Sequence, residues 1–270
     1  MAVNESDVPS AADTAAKERR DRAMSIFDHI GELRKRLIAV LLVTVLGLVI
    51  GLIAAQGLYE YLVSQEPLNN LPLNALSPWD SIGIYMKIAF VIALIPALPF
   101  ALLQVWRFVK PALGRSEQRS ALRYVPFALL MLLLGFAFSY FVVFPMAFHF
   151  TSGVAERLGL VETYGVVQYF SFMFNIIVPI SLLFELPIVM MFLTKLRIVN
   201  PLRLRKLRRI AYFLMVLVGT LITPPDVISD LLVAAPLILL YEFSIMLSAL
   251  IYRKQLQADK AWEEEFGPDA

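Results

Sequence analysis

The chain has 270 residues, 59% of them hydrophobic and 17% charged, with a formal net charge of +2 and a mean hydropathy of +0.71. A soluble domain averages roughly 45–50% apolar and about 25% charged residues, so one water-soluble globule of this size cannot hide so much apolar surface. This excludes an ordinary cytosolic enzyme and a disordered scaffold, and reads as an all-α polytopic membrane protein. The absence of cysteine removes disulfides, thiolate catalysis, iron–sulfur clusters and cysteine zinc sites. With only His29 and His149 besides, neither a metal site nor a cofactor is expected.

Residues 1–23, polar and rich in Ala, Asp and Arg, are expected to form a disordered cytoplasmic tail. Their Arg19–Arg20 pair is not read as an export signal on the chain itself, because Asp21 follows and the apolar run starts only at Leu37. No cleavable signal peptide is expected, since that run is too long and lacks a small-residue cleavage site. A membrane domain is predicted over 24–252, with six spans at about 37–58, 82–106, 124–148, 165–194, 210–223 and 231–252, and a cytoplasmic tail over 253–270. The first four contain apolar runs suited to a hydrocarbon core of roughly 30 Å, which takes about 20 helical residues to cross.

The 1–2 loop sets Tyr59, Tyr61 and Trp79 among Pro67, Pro72 and Pro78. That suits either a rigid cap at the membrane–water boundary or irregular filler. Pro96 and Pro99 interrupt span 2, and Pro145 falls at the end of span 3. Helices bent by proline favour a curved sheet of helices over a straight bundle. Span 4 carries Glu185 between Phe184 and Leu186, with Pro179 and Pro187 nearby. An intramembrane carboxylate costs about 2.5–3.5 kcal/mol to insert, so it faces a bundle interior or a wet cavity. It reads as a cation site, a proton relay or part of a hydrated groove; the structural alternative is a protonated or hydrogen-bonded core Glu beside a proline kink. Span 5 is short: the uncharged stretch from Ile210 to Pro225 reaches only about 24 Å at 1.5 Å per residue. Either the bilayer thins around it, or its flanking arginines snorkel. Span 6 is broken by Pro236 and Glu242, the latter reading as an interfacial carboxylate near Arg253.

Lys and Arg set the orientation. They cluster before span 1, in the 2–3 loop, in the 4–5 loop and in the C-terminal tail, and of 24 only Lys87 and Arg157 lie elsewhere. Basic residues are retained on the cytoplasmic side, so both termini are expected inside, which requires an even number of spans. In the 2–3 loop Glu117 is the one acid among five bases, following Ser116, which suits a helix N-cap. By composition alone Glu117 would be a surface salt-bridge partner. No internal repeat is evident, which weakens a transporter built of two inverted halves.

Six short pieces then occur in order. They are His29-Ile-Gly-Glu32-Leu-Arg34-Lys35-Arg36-Leu; Ser77-Pro78; Gln104-Val-Trp106-Arg-Phe108-Val-Lys-Pro111-Ala-Leu with Glu117; Ala137-Phe-Ser-Tyr140-Phe-Val-Val-Phe-Pro145; Phe184-Glu185-Leu-Pro187; and Thr223-Pro224-Pro225-Asp226-Val-Ile-Ser229. With them the chain, over about 26–252, resembles the TatC family, the multispanning receptor subunit of the twin-arginine protein translocase. The resemblance implies a glove-shaped, non-enzymatic six-helix protein of the bacterial cytoplasmic membrane, with short helices 5 and 6. It implies binding of the twin-arginine signal peptides of folded precursors, export driven by the proton-motive force, TatA- and TatB-type single-span partners, and self-association among membrane lipids, with no nucleic acid. It implies that Glu32 and Glu117 contact the paired arginines, with Arg34 and Phe108 beside them. It further implies that Glu185 and Gln104 form an intramembrane polar site, and that Pro67, Thr223, Asp226 and Asp230 belong to outer loops or partner docking. Many relatives carry Gln where this chain has Asp230, so the polar contact at that site differs here. The rival reading is an ion-coupled secondary transporter using Glu185. An intramembrane hydrolase lacks any Ser/His/Asp or metal-ligand constellation.

Overall fold

The computed structural model describes the backbone of residues 11–65, 73–109, 124–222 and 227–266, and side chains over most of these from Ile30 to Lys260. Among the described residues, five helices are long and apolar enough to cross a membrane: Ile30–Ser64, Asp80–Phe108, Val125–Arg157, Val166–Lys195 and Asp230–Gln257. This is a multi-pass membrane protein. The expected fifth span is the helix Arg208–Ile222, whose 15 residues reach only about 22 Å.

The first helix, α1, runs Ala11–Ser64 and so extends back through residues that composition reads as a disordered tail. Ala, Lys, Glu and Arg are strong helix formers, and the apolar span gives them a helix to continue. α1 packs along α2, Asp80–Val109. Small residues set how close the two come: a Cβ on Gly51 would meet the Ala89 carbonyl oxygen at 2.5 Å, and one on Gly47 would meet Ala93 Cα at 3.0 Å. Two backbones can approach so closely only over Gly and Ala. α2 starts at the Ser77-Pro78 turn, where Asp80 Oδ2 accepts from the N–H groups of Leu76 and Ser77 at 2.8 and 3.0 Å.

The third span is α3 (Tyr124–Phe138), a π-helical turn over Ser139–Val143, and α4 (Phe144–Arg157). Pro145 has no N–H to donate into the preceding turn, and the helix widens there, with Phe144 N–H reaching Ser139 O. The span thus continues past 148, where the apolar pattern suggested an end. Ser139 Oγ donates to Gly135 O at 2.7 Å and lies 3.4 Å from Ser181 Oγ of α5, Val166–Leu183. A two-residue strand β1 (Leu73–Asn74) pairs in parallel with β2 (Tyr164–Gly165), tying the 1–2 connection to the 3–4 connection.

The fourth span is divided. α5 stops at Leu183 and α6 runs Leu186–Lys195, with Phe184 and Glu185 between them. Pro187 stands at the start of α6 and cannot donate to the Leu183 carbonyl, so the helix breaks where a proline kink was expected. After a turn and α7 (Pro201–Lys206), α8 (Arg208–Ile222) packs on α9, Val227–Phe266. α9 runs unbroken through Pro236 and Glu242, so the sixth helix is long where a short, interrupted one was expected, and it continues through residues expected to be tail. Gln255 Nε2 donates to Lys195 O at 3.0 Å and Arg197 Nη2 to Asp259 Oδ1 at 2.7 Å, which secures that extension to the end of α6. Glu242 pairs with Arg208 at 2.5 Å and accepts from the Tyr212 hydroxyl, so its partners come from α8 rather than from Arg253.

Candidate signal-peptide site and intramembrane carboxylate

The N-terminal end of the α1 span and the C-terminal end of α2 meet at Arg36. Four residues separate Glu32 from Arg36 on α1, one helical turn, and the two side chains form an ion pair. Arg36 Nη1 also donates to the Gln104 backbone carbonyl at 3.2 Å, and the guanidinium carbon lies 5.9 Å from the centroid of the Phe108 ring. Glu32 and Phe108, nominated together, and Gln104, nominated with Glu185, are thus gathered around one arginine. Arg36 was not among the nominated residues. The signal that could have found it is the i, i+4 spacing to Glu32 within Glu32-Leu-Arg34-Lys35-Arg36. Arg34, one of the nominated residues, points elsewhere on α1 and is exposed.

The cluster is half-open. The Glu32 side chain keeps 40% of its exposure while that of Arg36 keeps 17%. An ionised carboxylate has about four lone-pair sites, so Glu32 retains acceptor capacity beyond its bond to Arg36. The Phe108 ring supplies an apolar face that a guanidinium can stack on. Gln104 itself is buried. Glu117 lies outside the described residues, in the segment that follows α2.

Below this cluster Trp106 is buried, with Lys195 Nζ 5.0 Å from its ring centroid, and so α2 and α6 are linked at the same end of the molecule. Deeper, Glu185 occupies the break between α5 and α6. It is 5% exposed and neither carboxylate oxygen has a hydrogen-bond partner among the described residues. The side chain is therefore enclosed by protein, as the cost of an ionisable group in hydrocarbon requires. Of the two core alternatives, the described residues supply no hydrogen bond to Glu185, which leaves the protonated one. Gly135 makes room beside the break: a Cβ there would meet Ser181 Cα at 2.8 Å and Phe184 Cβ at 2.9 Å.

At the opposite end, Thr220 Oγ1 donates to Asp230 Oδ2 at 3.1 Å, joining α8 to the start of α9. Asp230 thus makes a polar contact with the preceding helix. Pro67, Thr223 and Asp226 lie outside the described residues. Among the described residues no group of His, Cys, Asp and Glu could hold a metal ion.

Residues 28–236 match the family model described as Sec-independent protein translocase protein (TatC). The chain belongs to the TatC family. The Sec-independent protein translocase protein TatC of Halalkalibacterium halodurans is 44% identical over 91% of this chain and 97% of that protein. TatCy of Bacillus subtilis is 38% identical over 88% of this chain and 94% of that protein. A crystal structure of a twin-arginine translocase receptor, TatC, superposes with a TM-score of 0.71 at 34% identity, covering 82% of this chain and 99% of the solved one. The family's role is protein transport across membranes, and the several apolar helices of this chain suit it.

Proposed function

We propose that the chain is the twin-arginine signal-peptide receptor and core subunit of a translocase that exports folded proteins across a bacterial cytoplasmic membrane, driven by the proton-motive force. In this reading it crosses the membrane six times with both termini inside, α8 being the short fifth crossing, and assembles with single-span TatA- and TatB-type subunits. The observation that carries the reading is the Glu32–Arg36–Phe108 cluster at the end of the α1–α2 pair, beside the segment that bears Glu117. The likeness to a solved twin-arginine translocase receptor supports it further.

Two adjacent arginines present two planar guanidinium forks, each able to take a carboxylate bidentately. The surface around the cluster is strongly basic, with Arg34, Lys35 and Arg107 all exposed, and it repels a cationic motif unless carboxylates receive it. Glu32 offers its remaining lone pairs, Phe108 a stacking face, and Glu117 the second carboxylate. Glu185, buried and unpartnered further along, serves as the polar point inside the membrane at which a hydrated path or a proton is accommodated.

The deciding experiment is co-purification with an export precursor carrying either Arg-Arg or Lys-Lys. Retention of the Arg-Arg precursor and loss of the Lys-Lys one is expected, because lysine lacks the planar fork. Equal retention of both would overturn the receptor assignment.

A further inference from the structure

The turn from α6 to α7 and the C-terminal part of α9 enclose a pocket of about 290 Å3 that signal-peptide recognition leaves unused. Its polar wall is Arg197, Asn200, Arg203, Tyr252, Gln255 and Asp259, the Gln255 amide nitrogen being engaged by the Lys195 carbonyl. Arg197 has φ of 60°, the left-handed region that a side-chain-bearing residue seldom adopts. Its guanidinium is tied to Asp259 at 2.7 Å, and this pair braces the pocket between the turn and α9. Asn200 caps α7, its Oδ1 accepting from the N–H groups of Leu202 and Arg203 at 2.7 and 3.2 Å. With the oxygen so engaged, the Asn200 amide nitrogen brings donors only. Tyr252 adds a hydroxyl and Arg203 a guanidinium. Asp259, the one carboxylate among the described lining residues, already pairs with Arg197, so among the described residues the charge of Arg203 is left over. The pocket is rich in donors and net positive, the chemistry of an anion site.

Its position says which anion. The apolar spans of α6 and α9 end at Lys195 and Gln257, at the level of the pocket. Beside it Ile198 and Leu202 are 57% and 59% exposed, while Arg205 and Lys206 stand exposed around them. No acid occurs from Lys195 to Arg209. Exposed aliphatic side chains next to a cationic pocket at the end of membrane spans match a headgroup with its acyl chains, and suit a free ion poorly.

We infer that this pocket binds the phosphate of an anionic phospholipid headgroup, with Ile198 and Leu202 against the acyl chains. Its assignment to the cytoplasmic leaflet rests on the orientation proposed above; the phosphate chemistry does not. Arg203 takes the phosphate oxygens, with Tyr252 and Asn200 donating beside it. The surplus positive charge disfavours a zwitterionic headgroup.

The test is native mass spectrometry of the delipidated full chain in neutral detergent, with phosphatidylglycerol, phosphatidylcholine or inorganic phosphate added. One phosphatidylglycerol per chain is expected to be retained in clear preference to phosphatidylcholine. Arg203→Gln should weaken that retention by about tenfold, the size of one lost charge-assisted hydrogen bond, whereas Arg205→Gln outside the pocket should leave it nearly unchanged. Circular dichroism and elution volume check that both variants fold, and Tyr252→Phe provides a second pocket variant if Arg203→Gln does not. Equal losses in the Arg203 and Arg205 variants, or equal retention of phosphatidylcholine, would overturn the site. Displacement of the lipid by inorganic phosphate would overturn the lipid assignment in favour of a free anion. None of these outcomes bears on the Arg-Arg dependence of precursor binding, so the two proposals fail separately.

Discussion

Glu32 enters the proposed site already engaged by Arg36, and that pairing ranks the two carboxylates. Glu117→Ala should weaken Arg-Arg precursor binding by about tenfold or more, since a hydrogen bond to a charged group contributes roughly 1.5–3 kcal/mol. Glu32→Ala should cost less, because part of its carboxylate is committed to Arg36 in the free protein. Its effect on stability should stay near about 0.5 kcal/mol, as for other partly exposed i, i+4 pairs. Both binding losses should shrink for a Lys-Lys precursor. Titration of each variant with both precursors checks this, and a loss identical for the two would remove the arginine-reading role. Glu185 is different in kind, being buried with both oxygens unpartnered. Removing it relieves a desolvated polar group, so Glu185→Ala should leave assembly intact while export per molecule falls. Normal export with reduced abundance would mean that the side chain serves folding alone.

Between elements, contact distance is the controlling quantity. Gly51 faces Ala89 so closely that a Cβ would stand 2.5 Å from its carbonyl oxygen, whereas nothing lies within 4 Å of the same position on Gly57. Gly51→Ala must therefore push α1 off α2, at about 1–3 kcal/mol for overpacking. Gly57→Ala should be neutral or slightly stabilising, as Gly to Ala in a helix interior is. Thermal unfolding in detergent separates the two, and equal midpoints would contradict the close packing. The displacement should reach the receptor cluster too, since Arg36 bonds across the same pair of helices to Gln104. α8 raises a question of length. Its 15 residues reach about 22 Å, so the bilayer should be thinner beside it than around α2. Thickness mapped by cryo-electron microscopy in nanodiscs checks this, with a uniform profile as the contrary result.

At the scale of the whole molecule, the two-sided distribution of Lys and Arg predicts both termini inside. Single cysteines can be read without interference because the chain has none of its own. Cysteines at positions 69, 163 and 229 should react with an impermeant maleimide from outside, and one at 116 should not. Labelling at 116 would invert the topology and detach Glu117 from any cytoplasmic signal peptide. The same orientation places Thr220 and Asp230 at the outer end of the α8–α9 pair, and Arg208 with Glu242 towards the inner end.

The sequence by itself determined the membrane class, the presence of several apolar helices and the order of the family motifs. Run length, hydropathy and the side on which charge accumulates are properties of a one-dimensional string, and insertion into a bilayer acts on those same properties. Through the family resemblance it also named Glu32 with Phe108, and Gln104 with Glu185, though not the arginine between them. That three of these converge on Arg36 depends on α1 and α2 lying side by side, with partners 68 residues apart in the chain. The tertiary structure alone likewise decided that the fourth span breaks at Glu185, that β1 pairs with β2, and that Arg197 meets Asp259. Apolar periodicity could not have found these, because nearly every residue in a span is apolar and the pattern carries little record of which face meets protein. What settles the facing is close approach of Gly and Ala across helices, a distance that exists only once the chain has folded.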